Sequence, residues 1–435
     1  MAIANEPLAG VIDIDSEAAP PIERDRLYRL WEEGGWSAKA LDFTQDALDW
    51  RTKISEEQRR AALWNYAMFL DGEESVTVTL APFLTAVRRP EDRVFLATQV
   101  ADEARHHVFF DRFLREVCGV GHDLATTLDA TRPSLSWGYR QVFGELDRAS
   151  DAIRRSPRSL PALARGITLY HIVVEGMLAH TGQHFLREYG ARDQIFPGFG
   201  EGINLVARDE SRHIAFGIQL LRELVSGSSA CKSAAIGTLN RVLPWATGVF
   251  TPPGADWSYI RATGYTPQEV FEFGIRSVET KVRRAGIEPS EVLGLVKLGC
   301  ANPVSEQAAR AIALVEGAVV GTDEPPRVTE ATMDAIFASI RDVAAWTRPR
   351  HTGLRATIQW RFTDARPRYL RLGGDHPEVG MGEVEEPTVM LSCATSDWAR
   401  IVGGRLDEWQ AVLTRRVRVA GDWRLARRLS RILPI

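Results

Sequence analysis

The spacing of apolar residues divides the chain into a long helical part and a shorter part that contains strands. From about residue 23 to residue 320, apolar positions recur three and four residues apart, which predicts amphipathic α-helices and few strands. Ser55 precedes a run of acidic residues and is predicted to cap a helix. Helix breaks are predicted at Pro90, around 196–198 and around 251–253. This part of the chain is therefore predicted to be all-α.

The hydrophobic pattern changes after the sequence GTDEPP at 321–326. Residues 354–362 alternate around β-forming residues, and 369–372 and 387–393 have similar composition, so we predict three strands. A helical stretch, the short segment RVRVAGD and an amphipathic end follow. We predict an N-terminal extension over 1–22, a helical domain over 23–320, a linker over 321–329 and an α+β domain over 330–435.

Composition narrows the class of protein. The 435 residues are 45% hydrophobic and 25% charged, which is typical of a soluble globular protein. The longest run without charge, 242–255, is broken by prolines and is shorter than the roughly 20 residues of a membrane span. The beginning of the chain lacks the basic and apolar segments of a secretory signal, and the four cysteines form no Cys-x-x-Cys pair. We therefore expect a cytoplasmic protein with free thiols and no stable membrane insertion.

Positive charge is concentrated at the C-terminal end. Residues 346–435 contain 16 arginines, no lysine and 10 acidic residues, a net charge of +6 against −10 in the rest of the chain. Such a segment can favour nucleic acid, membrane headgroups or carboxylate ligands. We interpret it as a solvated arginine-rich surface and expect no nucleic-acid partner.

Each half of the helical part contains a lone glutamate, followed 30 or 35 residues later by a Glu-x-x-His motif. On a helical hairpin these distances bring the motif back to the level of the first glutamate. Residues three apart share a helix face, so each motif can offer two ligands on one side. The predicted metal ligands are Glu73, or its neighbour Glu74, with Glu103, His106, Glu175, Glu210 and His213.

Four buried carboxylates need compensating charge. Without a partner their burial would be very costly, whereas two divalent cations balance four negative charges when both histidines are neutral. Carboxylate-rich coordination suits iron or manganese and oxygen chemistry better than a closed structural zinc site. Four solvated glutamates are the alternative, but Glu73 and Glu175 have strongly apolar flanks. The sequence therefore predicts a two-metal site inside a helical bundle.

The segments LDFTQDALDW, FLDGEESVT, DEARHHVFFDRFL, YHIVVEGMLAHTG and RDESRHIAFG carry a specific resemblance. Over about residues 25–300 the chain resembles the ribonucleotide-reductase small-subunit-like ferritin superfamily, most closely its ligand-binding oxidase branch. The resemblance implies an all-α ferritin-like helical bundle with a manganese/iron or di-iron centre that activates O2. It also implies a bound long-chain fatty-acid-like molecule.

Residue roles follow from the same resemblance. It favours Glu73 over Glu74 among the six metal ligands and implies an ether cross-link between Val76 and Tyr170. It also implies that Asp209 forms a hydrogen bond to a ligand histidine, His106. His107 and His171 are predicted to serve in packing or hydrogen bonding rather than as ligands, because they lie about 100° from the ligand faces.

A radical-generating small subunit of ribonucleotide reductase is the nearest alternative function. Many such subunits place a radical tyrosine four residues after the first ligand histidine, where this chain has Phe110. They also need a redox-active tyrosine near a flexible C-terminal tail, whereas the last tyrosine here is Tyr369. Both observations disfavour that function. A lipid- or metal-binding protein without enzymatic activity is a second alternative.

The C-terminal part, about 330–435, resembles sterol carrier protein type 2-like domains, most clearly from PTVMLSC to the end of the chain. This resemblance implies an α+β lipid-carrier-like domain that holds apolar molecules against a curved sheet; a dimerisation or scaffolding module is the alternative. We therefore expect a homodimeric two-metal oxidase that removes two electrons from a bound hydrophobic, fatty-acid-like molecule, with O2 as co-substrate.

Overall fold

The computed structural model describes residues 10–374 and 376–434 and divides into two compact units, Met1–Glu288 and Pro289–Ile435. The division between the units comes earlier in the chain than the linker predicted at 321–329. The two divisions do not coincide, and the domain limits given above from the sequence stay a prediction. Of the predicted extension over 1–22, residues 1–9 lie outside the described residues, and the first helix begins at Arg24.

The first unit is helical, as the apolar spacing predicts. Its helices are α1 (Arg24–Glu33), α2 (Thr44–Thr52), α3 (Glu56–Thr79), α4 (Ala81–Ala86), α5 (Pro90–Glu116), α6 (Leu124–Thr131), α7 (Trp137–Arg155), α8 (Leu160–Ile167), α9 (His180–Asp193), α10 (Pro197–Gly227), α11 (Ser229–Ala246), α12 (Ser258–Arg261) and α13 (Pro267–Arg284). A π-helical segment, Thr168–Ala179, joins α8 to α9 without a break.

Local sequence explains where the two helices of the first hairpin begin and end. The Ser55 hydroxyl accepts a hydrogen bond from the backbone N–H of Gln58, whose side chain accepts one from the Ser55 N–H, so a capping box starts α3 as predicted. Pro90 occupies the first position of α5, where its missing N–H costs nothing. The helix break predicted at Pro90 would have allowed α3 to continue almost to that residue. Instead α3 ends at Thr79, and α4, with Pro82 in its first turn, follows.

Residues 160–193 form one long apolar rod through the first unit. By length and composition this rod could cross a membrane, but 89% of its apolar window is buried inside the unit. Its environment is that of a central helix in a bundle, where packing of apolar side chains stabilises an otherwise insoluble stretch. The burial of this rod is therefore that of a core helix rather than of a membrane span.

Aromatic residues fill the bundle between the C-terminal half of α5 and the beginning of α10. Phe109, Phe110 and Phe113 on α5 are fully buried, and Phe196 and Phe199 at the beginning of α10 pack against them. Ring centroids lie 4.6 Å apart for Phe113 and Phe199 and 5.4 Å apart for Phe109 and Phe199. Such ring packing buries a large apolar area and fixes the beginning of α10 against α5.

The second unit combines helices with one sheet. Its elements are α14 (Leu293–Leu298), α15 (Val304–Glu316), α16 (Glu330–Thr347), β1 (Ala356–Phe362), β2 (Arg368–Leu372), β3 (Glu378–Met381), β4 (Val389–Cys393), α17 (Thr395–Val402), α18 (Glu408–Leu413), β5 (Arg418–Gly421), α19 (Trp423–Ala426) and α20 (Leu429–Ile432).

The five strands are ordered β3-β2-β1-β4-β5, and only the β1–β4 pair is parallel. β1, β2 and β4 correspond to the three predicted strands. β3 and β5 form the two edges; β3 has no buried residue, which explains why the hydrophobic pattern did not reveal it. The fold class, a ferritin-like helical bundle with a C-terminal α+β domain, is confirmed.

Candidate metal centre

Four helical elements carry the predicted ligands to one place in the first unit. Glu73 lies on α3, Glu103 and His106 on α5, Glu175 on the π-helical segment, and Glu210 and His213 on α10. All six side chains are buried, with relative exposures between 0% and 6%. Their spacing along each helix places them on the faces that the bundle encloses. Glu74, in contrast, is only partly buried and lies outside both groups described next.

One group of possible ligand atoms surrounds the His106 ring. His106 Nδ1 lies 3.7 Å from Glu73 Oε2, 3.6 Å from Glu103 Oε2 and 3.6 Å from Glu210 Oε1. These four residues offer ligand atoms that are all within 4.8 Å of one another, a spacing that can hold one metal ion.

A second group surrounds His213. Its Nδ1 lies 3.3 Å from Glu103 Oε1, 3.5 Å from Glu175 Oε1 and 3.5 Å from Glu210 Oε2. Glu103 and Glu210 thus present one oxygen to each histidine, and the geometry allows these two carboxylates to bridge a pair of ions. The ring centroids of His106 and His213 are 6.1 Å apart.

The hydrogen-bond inventory of the cluster fits a pair of metal ions. Nδ1 of His106, Nδ1 of His213, Oε2 of Glu175 and Oε2 of Glu210 are all buried without a hydrogen-bond partner. Buried polar atoms are almost always paired, because an unpaired one costs about 1–3 kcal/mol. Four such atoms in one cluster, all of types that ligate transition metals, match the donor set of a carboxylate-rich two-metal site.

The charges of the cluster lead to the same assignment. Burial raises the pKa of Glu175 to about 8, and burial also raises the pKa of Glu73 well above its usual range. Burial would lower the pKa of His106, but the negative charge of Glu73 and the hydrogen bond to Asp209 raise it well above its usual range. Without cations the cluster therefore retains protons at neutral pH, and two divalent cations would replace them.

The far side of each histidine ring contacts an aspartate. Asp209 Oδ2 lies 3.3 Å from His106 Nε2, and Asp102 Oδ2 lies 3.1 Å from His213 Nε2. Each aspartate accepting from Nε2–H leaves Nδ1 of that ring free for a metal. Burial would raise the pKa of Asp209, but its hydrogen bond to His106 and the charge of Arg212 hold that pKa well below its usual range.

Two tryptophans and two arginines hold these aspartates. Trp31 Nε1 donates to Asp102 Oδ1 at 2.9 Å, and Trp36 Nε1 donates to Asp209 Oδ2 at 2.8 Å. Arg105 and Arg212 each donate to both aspartates, over 2.8–3.3 Å. The arrangement has near two-fold symmetry, with every aspartate fixed by one indole and both guanidinium groups.

The roles of Asp102, Arg105 and Arg212 were not predicted from the sequence. A signal was present, because both halves contain the pattern Asp-Glu-x-Arg-His, in which the aspartate and arginine repeat along with the ligands. Asp102 and Asp209 occupy the same place in the repeat. A histidine-binding role for one of them therefore predicts the same role for the other. The tryptophans carry no such signal, since α1 and the loop after it reach the cluster only in the folded chain.

Tyr170 contacts the cluster directly. Its hydroxyl donates to Glu103 Oε1 at 2.6 Å, while the Gln99 amide nitrogen lies 2.7 Å from Glu175 Oε1 and 3.2 Å from Tyr170 Oη. Burial, followed by the charge of Glu103, raises the pKa of Tyr170 well above its usual range, so the phenol keeps its proton. Gln99, which was also missed, joins a ligand to this tyrosine.

An apolar cavity of about 1090 Å³, including its open mouth, extends from the cluster. Val76 and Tyr170 both line this cavity, together with the ligands Glu73, Glu103, Glu175 and Glu210. Its remaining walls are mostly aromatic and aliphatic. The space next to the carboxylates therefore suits a long hydrophobic molecule better than a small polar one.

Three further residues singled out from the sequence are buried or packed away from the ligand atoms. Phe110, at the position of a radical tyrosine, stacks on Phe69 with ring centroids 5.0 Å apart. His171 Nε2 lies 3.2 Å from Gln99 Oε1, and burial lowers its pKa to about 3, so the ring is neutral. His107 belongs to neither ligand group.

Two parts of the chain match known protein families. A family model described as ribonucleotide reductase, small chain, matches residues 20–237, and one described as the SCP-2 sterol transfer family matches residues 337–434. Among solved structures, a glycine-to-leucine mutant of R2-like ligand-binding oxidase with anaerobically reconstituted Mn/Fe cofactor is 26% identical. That match covers 60% of this chain and 93% of the other, with a TM-score of 0.52.

A tyrosine-to-phenylalanine mutant of R2-like ligand-binding oxidase, with aerobically reconstituted Mn/Fe cofactor, is 27% identical over 61% of this chain and 93% of its own, with a TM-score of 0.51. The family-model match spans half of the chain and includes all six buried Glu and His residues of the cluster. The chain therefore belongs to the ribonucleotide reductase small-chain family and carries a C-terminal SCP-2 sterol transfer domain.

Proposed function

We propose that this protein is a dinuclear Mn/Fe or di-iron oxidase that uses O2 to remove two electrons from a bound hydrophobic, fatty-acid-like molecule. The observation that carries the proposal is the convergence of six buried ligand side chains, four of their polar atoms unpartnered, at the end of an apolar cavity. The similarity to structures named R2-like ligand-binding oxidase with Mn/Fe cofactor supports it.

The proposed metal ligands are those predicted from the sequence, with Glu103 and Glu210 in bridging positions and Glu73 rather than Glu74 as the fourth carboxylate. A bound pair of redox metals would activate O2, which is the oxidant in the proposed reaction. The chain supplies the coordination geometry, because Asp102 and Asp209 orient the two imidazoles. The apolar cavity binds the hydrocarbon beside the cluster and limits the access of water.

We include in the proposal the ether cross-link between Val76 and Tyr170. Tyr170 Oη would bond to a side-chain carbon of Val76, with loss of one hydrogen from each residue; O2 accepts the two electrons and two protons. The hydrogen bond from Tyr170 Oη to Glu103 Oε1 supports this role, since it provides an acceptor for the phenolic proton. Both side chains line the same cavity.

The experiment loads metal-free protein with Mn(II) and Fe(II) without oxygen and then admits air. We expect two ions per chain, O2 uptake, and an intact mass lower by two hydrogens, with a linked peptide pair containing Val76 and Tyr170. Tyr170→Phe should retain both ions but keep its full mass. Glu73→Ala should reduce metal content, whereas the neighbouring Glu74→Ala serves as the matched control and should not.

Three outcomes would contradict the proposal. Fewer than two ions per chain after reconstitution would exclude a dinuclear site, and unchanged metal content in the double variant Glu103→Ala, Glu210→Ala would exclude these ligands. Two bound ions without O2 uptake would favour a protein that binds metal or lipid without catalysis. The cytoplasmic location and the homodimer remain predictions. Size-exclusion chromatography with light scattering tests the homodimer.

A radical-generating subunit of ribonucleotide reductase is the second candidate, because the matching family model carries that description. The buried, stacked Phe110 disfavours it, since a phenylalanine cannot form the tyrosyl radical at this position. Addition of the protein to a reductase large subunit from the same organism distinguishes the two: turnover of ribonucleotides would favour the reductase, and its absence the oxidase.

A further inference from the structure

The second unit contains its own apolar cavity, of about 880 Å³ including its open mouth. Trp360 and Trp398 form part of its buried interior, whereas Trp409 and Trp423 line it and are 40% and 48% exposed. The two exposed tryptophans therefore lie where the cavity meets solvent. Leu413, on the same face of α18 as Trp409, is 82% exposed.

Exposed apolar side chains are concentrated at this mouth. In the described part of the second unit, Trp409, Leu413 and Trp423 account for three of the four large hydrophobic residues with substantial exposure; Met381, on the opposite edge strand β3, is the fourth. Single exposed hydrophobics need no explanation, but a group of them around a cavity marks an interaction surface.

The same segment carries the positive charge of the C-terminal region. Residues 409–434 contain seven arginines and one acidic residue, Asp422, so their net charge of +6 equals that of all 90 residues from 346 to 435. Arg416 pairs with Asp397. The other six arginines are exposed, and no ion pair is found for them among residues 10–374 and 376–434: Arg415, Arg418, Arg424, Arg427, Arg428 and Arg431.

We propose that this mouth, defined by Trp409, Leu413, Trp423 and the six unpaired arginines, docks on the surface of an anionic lipid bilayer. The guanidinium groups bind lipid phosphates, and the tryptophans and the leucine enter the boundary between headgroups and acyl chains. Docking of the mouth itself would let an apolar molecule pass between bilayer and cavity without crossing water. The binding is peripheral, since no element of the segment is long enough to span a bilayer.

A bilayer fits these features better than nucleic acid does. Nucleic acid would use the arginines, but it offers no apolar phase for Leu413 or for the two indole rings. A zwitterionic surface would bind the apolar group, but it has no net negative charge to attract the six guanidinium groups. Of the three, only an anionic bilayer offers both an apolar phase for the tryptophans and the leucine and negative charge for the arginines.

The test measures co-sedimentation of the full-length protein with lipid vesicles. At about 0.1 M salt, vesicles with about 30% phosphatidylglycerol should bind at least tenfold more tightly than pure phosphatidylcholine vesicles, and about 1 M salt should remove the difference. The charge variant Arg427→Glu, Arg428→Glu and the apolar variant Trp409→Ser, Leu413→Ser should each weaken binding by roughly tenfold or more. All replaced residues are exposed, so these variants should fold, which circular dichroism verifies.

The matched control is Arg355→Glu, Arg366→Glu, which makes the same change of charge at exposed arginines just before β1 and between β1 and β2. It should bind as the unmodified protein does. Equal binding to anionic and zwitterionic vesicles would overturn the proposal, and so would equal losses in the control and the charge variant. Binding of a DNA duplex with the same arginine dependence, without vesicle binding, would assign the surface to nucleic acid instead.

Discussion

At the scale of single residues, each histidine of the cluster is oriented by an aspartate that contacts the ring nitrogen facing away from the carboxylates. His106 and His213 each place Nε2 against an aspartate and Nδ1 among the carboxylates, so the ring position does not depend on the metal. Each aspartate is itself held by an indole and by guanidinium groups. The site is therefore preorganised by side chains that never touch a metal, and these should be nearly as important for affinity as the ligands.

We predict that Asp102→Asn lowers the affinity for Fe(II) by roughly 10–100-fold, because the neutral amide no longer orients and polarises the His213 ring. Asp209→Asn should have a similar effect through His106. Affinity is measured by competition with a coloured chelator under anaerobic conditions. Asp111→Asn on the same helix as Asp102 is the control, since Asp111 pairs with Arg115 and contacts neither histidine. Unchanged affinity in both Asp102→Asn and Asp209→Asn would show that the rings need no such support.

At the scale of elements, the centre depends on how closely α10 approaches the π-helical segment. At Gly217 an added Cβ would lie 2.1 Å from the Cβ of His171, far inside van der Waals contact. His171 lies four residues before Glu175 on that segment, and Gly217 lies four residues after His213 on α10. The glycine thus sets the distance between the two elements that carry these ligands.

Gly217→Ala should therefore push the two elements apart, destabilise the protein by about 1–3 kcal/mol and reduce metal content below two ions per chain. Thermal unfolding and elemental analysis measure the two effects. Gly200→Ala on the same helix is the matched control, because nothing lies within 4 Å of an added Cβ there, and it should retain stability and metal. Full metal content in Gly217→Ala would show that the bundle can absorb the added methyl group.

The elements also show what the sequence could and could not predict. Apolar spacing, prolines and the Ser55 cap predict the beginnings of α3 and α5 because these depend on nearby residues. The π-helical segment could not be predicted, since TLYHIVVEGMLA is equally compatible with an α-helix and its geometry depends on packing. The tight contact at Gly217 is likewise a property of two elements 46 residues apart in the chain.

At the scale of the whole molecule, the six ligands come from residues 73–213, so a metal pair connects four helical elements of the first unit. The second unit, Pro289–Ile435, contributes none of them and has a large apolar cluster of its own, built around Ile336, Trp360 and Leu391. Because the ligands meet only in the folded first unit, metal binding should stabilise that unit alone.

We predict that metal raises the melting temperature of the first unit by roughly 5–10 °C when its free concentration is about 100 times the dissociation constant. The transition of the second unit should keep its temperature, since none of the six proposed ligands lies in it. Calorimetry of the full chain, with and without Mn(II) under anaerobic conditions, separates the two effects. The double variant Glu103→Ala, Glu210→Ala removes both bridging carboxylates and should lose the shift. A shift that survives in this variant would mean that the stabilising metal binds elsewhere, and the bundle would then not be held together by the buried cluster.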